Sequence, residues 1–249
     1  MSADQSPSSV EPTPPQKLKR HHRVIRIILG IAIAYLVIAY VLMPIDWKRY
    51  VHKHPSFDDI PNITFTKSGI PGDPLNVSLI GTERDVKTIM LAAKWYPADP
   101  LTLKSCLEIA EATVLKRSYD EAPVSNLYLD KRKEDLAFES PVGDNPRKRH
   151  HVRFWKTDKT DSDGRPIWIG SATYDERVGL SHTTGEITHH IASDVDAERD
   201  NLFHDLEGTN DLEETYFVDD FHKKREGKNG GGDKWTTDGR LLVGVIKSL

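Results

Sequence analysis

The sequence predicts an α+β fold: a single-pass N-terminal transmembrane helix, followed by one domain with a largely antiparallel sheet and about three helices. Three observations predict it. An uncharged apolar run fills residues 27–43. Helical stripes are confined to 83–116 and 194–206. Short strand-like runs fill most of the remaining chain, and helices followed by mostly sequential strands favour helices segregated onto an antiparallel sheet.

Bulk composition bounds the reading. With 249 residues, 37% hydrophobic and 29% charged, the chain is globular and long enough for one or two domains. A net charge of −4 lacks the basic excess of a nucleic-acid binder, so none is expected as partner. The single cysteine, Cys106, rules out an intrachain disulfide and a cysteine zinc cluster. It falls on a helical stripe with Leu103, Leu107 and Ala110 and reads as core.

In chain order, residues 1–23 read as a disordered tail, rich in Ser and Pro and ending in Lys17, Lys19, Arg20 and Arg23. Residues 24–45 read as the transmembrane helix, with the bilayer met by the run 27–43, which covers about 26–29 Å with its extension. No small-residue cleavage site follows, so the run reads as a signal anchor. Trp47 and Tyr50 sit where an interfacial aromatic belt would. Five Lys/Arg precede the run and three follow it, which places the N-terminus in the cytoplasm and the C-terminal domain outside it. Residues 46–71, spaced by Pro55, Pro61 and Pro71, read as a linker, and 72–249 as the domain.

Within the domain, 75–80 is a strand. Thr82 caps a helix whose stripe is Val86, Ile89, Met90 and Ala93, and Pro97 ends it. A second helix spans 101–116. Strands are expected at 124–129, 135–139, 149–155, 166–174 and 186–191, with a turn at 161–164. A third helix covers 194–206, with Ser193 and Asp196 in capping-box spacing. Two last strands, 214–219 and 240–246, flank a Gly-rich hairpin loop at 228–233.

The polar residues of these strands suggest one site. On a strand, alternate residues share a face, so His151 and Arg153 point opposite to His150 and Val152. If neighbouring strands align, one face collects His151, Arg153, Thr173, Asp175 and His190, with Thr188 on the same strand face as His190. Arg199 lies on the apolar stripe of the third helix with Val195, Leu202 and Phe203. A guanidinium there must either pair with a carboxylate or bind an anion. Asp194 and Asp196 read as cap and dipole residues. His150, His151, His182, His189, His190, Asp175, Asp194 and Asp196 could supply metal ligands, but they form no H-E-x-x-H or similar spacing, and no G-x-S-x-G elbow or Lys-Ser/Thr phosphate loop is present, so no metal or cofactor is expected. Two functions follow. In the first, an anionic ligand or envelope partner binds through Arg153, Arg199, Thr173 and Thr188. The alternative is an envelope hydrolase on phosphate esters or lipid-derived substrates, with His151 or His190 as acid/base and Asp175 orienting it.

Several segments, in order, carry a family resemblance. They are Ala122-Pro-Val-Ser-Asn-Leu-Tyr-Leu129, Asp135-Leu-Ala-Phe138, Arg149-His-His-Val-Arg-Phe-Trp155 and Pro166-Ile-Trp-Ile-Gly-Ser-Ala-Thr173. Val178-Gly-Leu-Ser181, Thr188-His-His-Ile191, Asp194-Val-Asp-Ala-Glu-Arg-Asp200 and Thr237-Asp-Gly239 follow. Together they resemble the bacterial LssY-like C-terminal domain over about 72–246. The resemblance implies a bacterial, membrane-associated protein but no reaction. Some relatives carry this domain behind DedA-like and phosphatidic-acid-phosphatase-like membrane regions. Neither those regions nor the phosphatase's Pro-Ser-Gly-His motif is found here, so phosphatase activity does not carry over.

Overall fold

The computed structural model describes residues 16–46, 50, 54–98, 106, 126–143, 148–183 and 187–247. It divides into two units, Met1–Lys53 and His54–Leu249.

The described residues of the first unit are helical. Helix α1 (Gln16–Val37) runs into a π-helical turn (Ile38–Leu42). His22–Asp46 forms a helix of 25 residues, long and apolar enough by length and composition to cross a membrane. Its large apolar side chains, Ile27 to Met43 included, are exposed. The π turn has a local cause. Pro44 offers no N–H, and its ring would meet the Tyr40 carbonyl of a regular helix. The chain widens one turn ahead of it, and the Met43 amide donates five residues back to the Ile38 carbonyl.

The second unit is α+β. Its main sheet contains β3 (Val77–Ile80), β4 (Tyr96–Pro97), β7 (Leu136–Pro141), β8 (Arg149–Thr160), β9 (Pro166–Leu180), β10 (Ile187–Ile191), β11 (Leu212–Val218) and β14 (Leu241–Ile246). The order is β11-β14-β3-β9-β8-β7-β4, with β10 also on β9. Every pair is antiparallel except β14 with β3. A smaller sheet is built from β1 (Ile63–Phe65), β2 (Pro71–Pro74), β5 (Tyr128–Leu129) and β6 (Arg132–Lys133). Strands β12 (Glu226–Lys228) and β13 (Lys234–Thr236) make a separate hairpin.

Alternation along β8 and β9 explains the layering. Val152, Phe154, Trp168 and Ala172 meet helices α2 (Glu83–Ala92) and α3 (Val195–Gly208) through Ile89, Met90, Leu202 and Phe203. Trp155, Ile167 and Ile169, on the other face, pack with Phe57, Leu75, Leu127 and Leu129 beneath the smaller sheet. Thr82 caps α2 as expected, and closes a capping box with Asp85.

Two expectations change, and a third falls on residues that are not described. The domain begins before residue 72: Phe57 is core and β1 is a sheet strand inside the stretch read as a linker at 46–71, and β2 starts at the last residue of that stretch. Spaced prolines indicated extended chain, and an edge strand is as compatible with them as a spacer. Helix α3 is capped by Asp194, as its reading as a cap residue had it, with the carboxylate accepting from the Asp196 and Ala197 amides; the Ser193 capping box does not form. The expected helix at 101–116 lies outside the described residues except Cys106, which is helical and fully buried.

Candidate functional site

The face that is apolar at Trp155 and Ile169 becomes charged toward the start of β8. Arg149, His151 and Arg153 follow one another there, directly opposite Asp175, Thr173 and Ser171 of β9. Glu139 of β7 lies opposite His151 from the other side. All seven side chains belong to buried residues.

A buried guanidinium needs partners, and both find carboxylates. Arg149 donates from Nη1 to Glu139 Oε2 at 2.8 Å and from Nε to Asp175 Oδ2 at 3.2 Å. Arg153 Nη1 lies 3.7 Å from Asp73 Oδ2, and Asn229 Nδ2 donates to Asp73 Oδ1 at 3.0 Å. Burial pushes the Asp73 and Asp175 carboxyls up, against the pull of Arg153 on the first and of Arg149 and Arg153 on the second.

Above this cluster lies a cleft of about 370 Å³. Its floor carries Asp73, Arg153, Asp175 and His189. The β1–β2 hairpin supplies Thr66, Lys67 and Gly72, β5 supplies Tyr128, and the β12–β13 loop supplies Asn229, Gly230 and Gly231. Gly72 is required by close approach, since a Cβ there would stand 2.5 Å from Thr64 Oγ1 and 2.9 Å from Leu127.

The predicted residues divide. His151, Arg153, Thr173 and Asp175 share one sheet face, but only Arg153 and Asp175 line the cleft, together with Thr188. His151 and Thr173 lie outside the lining; neither His151 ring nitrogen nor Thr173 Oγ1 has a hydrogen-bond partner. Burial, then the charges of Arg153 and Arg149, holds the His151 pKa well below the ordinary value.

His190 does not meet Asp175. Its Nδ1 lies 2.7 Å from Asp233 Oδ1, and His189 takes the place beside Asp175 at 3.4 Å. The cause is a bulge: His190 pairs with Arg177 but Ile191 with Asp175, which leaves Glu176 extra and shifts the alternation. Arg149 Nη2 donates to His189 Nε2 at 3.0 Å, so the ring proton sits on Nδ1 and the lone pair is occupied. Burial, then Arg149 and Arg153, pushes the His189 pKa down to about 4. Among the described residues, no histidine combines an unoccupied lone pair with a place in the cleft wall.

Arg199 lies outside the lining, and its guanidinium is fully engaged elsewhere. It is bidentate to Asp238 at 2.9 and 3.2 Å, reaches Asp196 at 3.1 Å and Asp200 at 2.7 Å, and donates to the Arg240 carbonyl at 3.3 Å. Of the two roles the stripe allowed, this geometry is the carboxylate pairing. Asp196 also accepts from the Thr237 hydroxyl and the Asp238 amide. The segments 194–200 and 237–239 are thus two halves of one lock.

Sequence reasoning missed Arg149, Glu139, Asp73, Asn229 and Asp233, and considered His189 only as a metal ligand on the opposite strand face from His190. Arg149 had a signal, because it has the same parity on β8 as His151 and Arg153. Asp73 stands two residues past the stretch read as linker, between Pro71 and Pro74, where no strand was expected. The others depend on tertiary contacts.

Fold and site define an α+β domain with a buried charged cluster beneath a polar cleft, between a mixed main sheet and a smaller antiparallel one. The chain belongs to the LssY C-terminus family, whose model matches residues 57–241. No curated protein and no solved structure matches it.

Proposed function

We propose that this chain is a membrane-tethered binding domain whose cleft takes a small polyhydroxylated ligand of sugar type. The N-terminus lies in the cytoplasm and the domain in the envelope outside it. The observation that carries the reading is the mixed sign of the cleft floor: Arg153 lies beside Asp73, with Asp175 and Asn229 nearby. Neighbouring hydroxyls donate to the carboxylates and accept from the guanidinium at once. A phosphate would satisfy Arg153 but face Asp73 and Asp175, so the expected anionic ligand gives way to a neutral one. The aromatic ring of Tyr128 in the wall offers an apolar surface to a sugar face.

The phosphate-ester hydrolase is the weaker reading. It requires a histidine with a usable lone pair in the cleft, and the lone pair of His189 accepts from Arg149.

Calorimetric titration of the full chain in detergent, with a panel of neutral monosaccharides, inorganic phosphate and a polyamine, tests this. We expect saccharide binding that weakens about tenfold in Thr188→Val and in Arg153→Gln, in line with one lost hydrogen bond. Thermal melting of both variants monitors folding. Phosphate binding without saccharide binding, or no binding at all, would overturn the reading.

A further inference from the structure

A second cluster stands beside the cleft. His182 follows β9 and is exposed, His190 is buried on β10, and Asp233 closes the β12–β13 loop. One ligating atom from each lies within 4.8 Å of the other two. The imidazole centroids of His182 and His190 are 5.2 Å apart. The His182 amide donates to the Gly231 carbonyl at 2.9 Å, which ties its segment to the loop that carries Asp233.

Two further observations point to a cation. His190 is 2% exposed, and its Nε2 has no hydrogen-bond partner while Nδ1 lies against Asp233. His190 Nδ1 and Asp233 Oδ1 thus stand side by side where one cation can take both, and the buried ring has no other hydrogen-bond partner. The second observation is charge. The carboxylates of Glu139, Asp73, Asp175 and Asp233 are set against the guanidiniums of Arg149 and Arg153, a formal surplus of two negative charges. Lys67 and Arg177 are exposed, and water screens their contribution. A divalent cation on Asp233 cancels the surplus.

We propose that His182, His190 and Asp233 bind a divalent transition-metal ion of the zinc class, with the remaining coordination positions open to water. Two imidazoles and one carboxylate suit zinc and its neighbours rather than magnesium or calcium, which prefer all-oxygen sites. The ligands come from three separate segments, so no spacing motif announces them.

The test uses the full chain purified in detergent without a histidine tag, dialysed against zinc chloride and then zinc-free buffer. Elemental analysis is expected to give about one zinc per chain, and chelator competition to give affinity at least about tenfold weaker in His182→Ala and Asp233→Asn. His182 is exposed, so its substitution leaves the core intact. Zinc below about a tenth of an equivalent in a cooperatively melting protein, or unchanged affinity in His182→Ala, would overturn the assignment. No saccharide is present, so this result is independent of ligand binding in the cleft.

Discussion

Arg199 shows how one side chain joins distant parts of the sequence. Its partner Asp238 is pushed up by burial but held well below the usual carboxylate range by Arg199 and Arg240. Removing the guanidinium leaves Asp196 and Asp238 facing each other, so Arg199→Ala is expected to lower unfolding free energy by on the order of 3 kcal/mol. Lysine cannot reproduce the bidentate contact, and Arg199→Lys should recover less than half of that loss in denaturant titrations. His151 gives a pH prediction. An unfolded histidine takes a proton near 6.5, while the folded one stays neutral until well below. Between those values the unfolded state holds more protons. The stabilisation is complete above the unfolded value and is lost as pH falls from it, by at most about 1.4 kcal/mol per pH unit. Urea midpoints measured from pH 7.5 downward should therefore fall less steeply in His151→Gln than in wild type. Equal slopes would show that His151 is not held neutral.

Elements whose type rests on local pattern were legible in the sequence; those resting on tertiary pairing were not. The α2 stripe and its Thr82 cap, the 161–164 turn, and the parity that puts His150 and His151 on opposite faces all follow from periods and side-chain chemistry. His150 indeed meets Glu198 of α3 at 2.8 Å, on the helix side. By contrast, β1 and β2 are only 3 and 4 residues long, too short for alternation to register. The β9–β10 bulge could not be seen either, and it alone exchanges His190 for His189 at Asp175. The cap of α3 gives a direct check. Asp194→Ala should cost about 1 kcal/mol, because the Asp196 and Ala197 amides lose the carboxylate that accepts from them, while Ser193→Ala should leave stability within experimental error. Gly239 is fixed differently: its φ is +85° and a Cβ would collide with the Arg225 guanidinium, which donates to the Asp238 carbonyl. Gly239→Ala should therefore disturb the same lock as Arg199→Ala.

At the scale of the whole molecule, the apolar helix and the domain are separate units, and each predicts its own behaviour. Alkaline carbonate extraction should leave the full chain in the membrane pellet, and recovery in the supernatant would contradict a spanning helix. In the domain, the core grades from Trp155 and Ile169 into Arg149 and Asp175 along a single sheet face, and the polar cleft opens where apolar packing ends. We propose this cleft as the place where ligand binds. Amide hydrogen exchange of the full chain, with and without the tightest-binding saccharide of the panel, tests it most directly. Slowed exchange is expected in the β1–β2 hairpin around 66–73, in 126–128 and in 229–231. Slowing confined to α3 and the 237–240 segment, with the cleft walls unchanged, would contradict it.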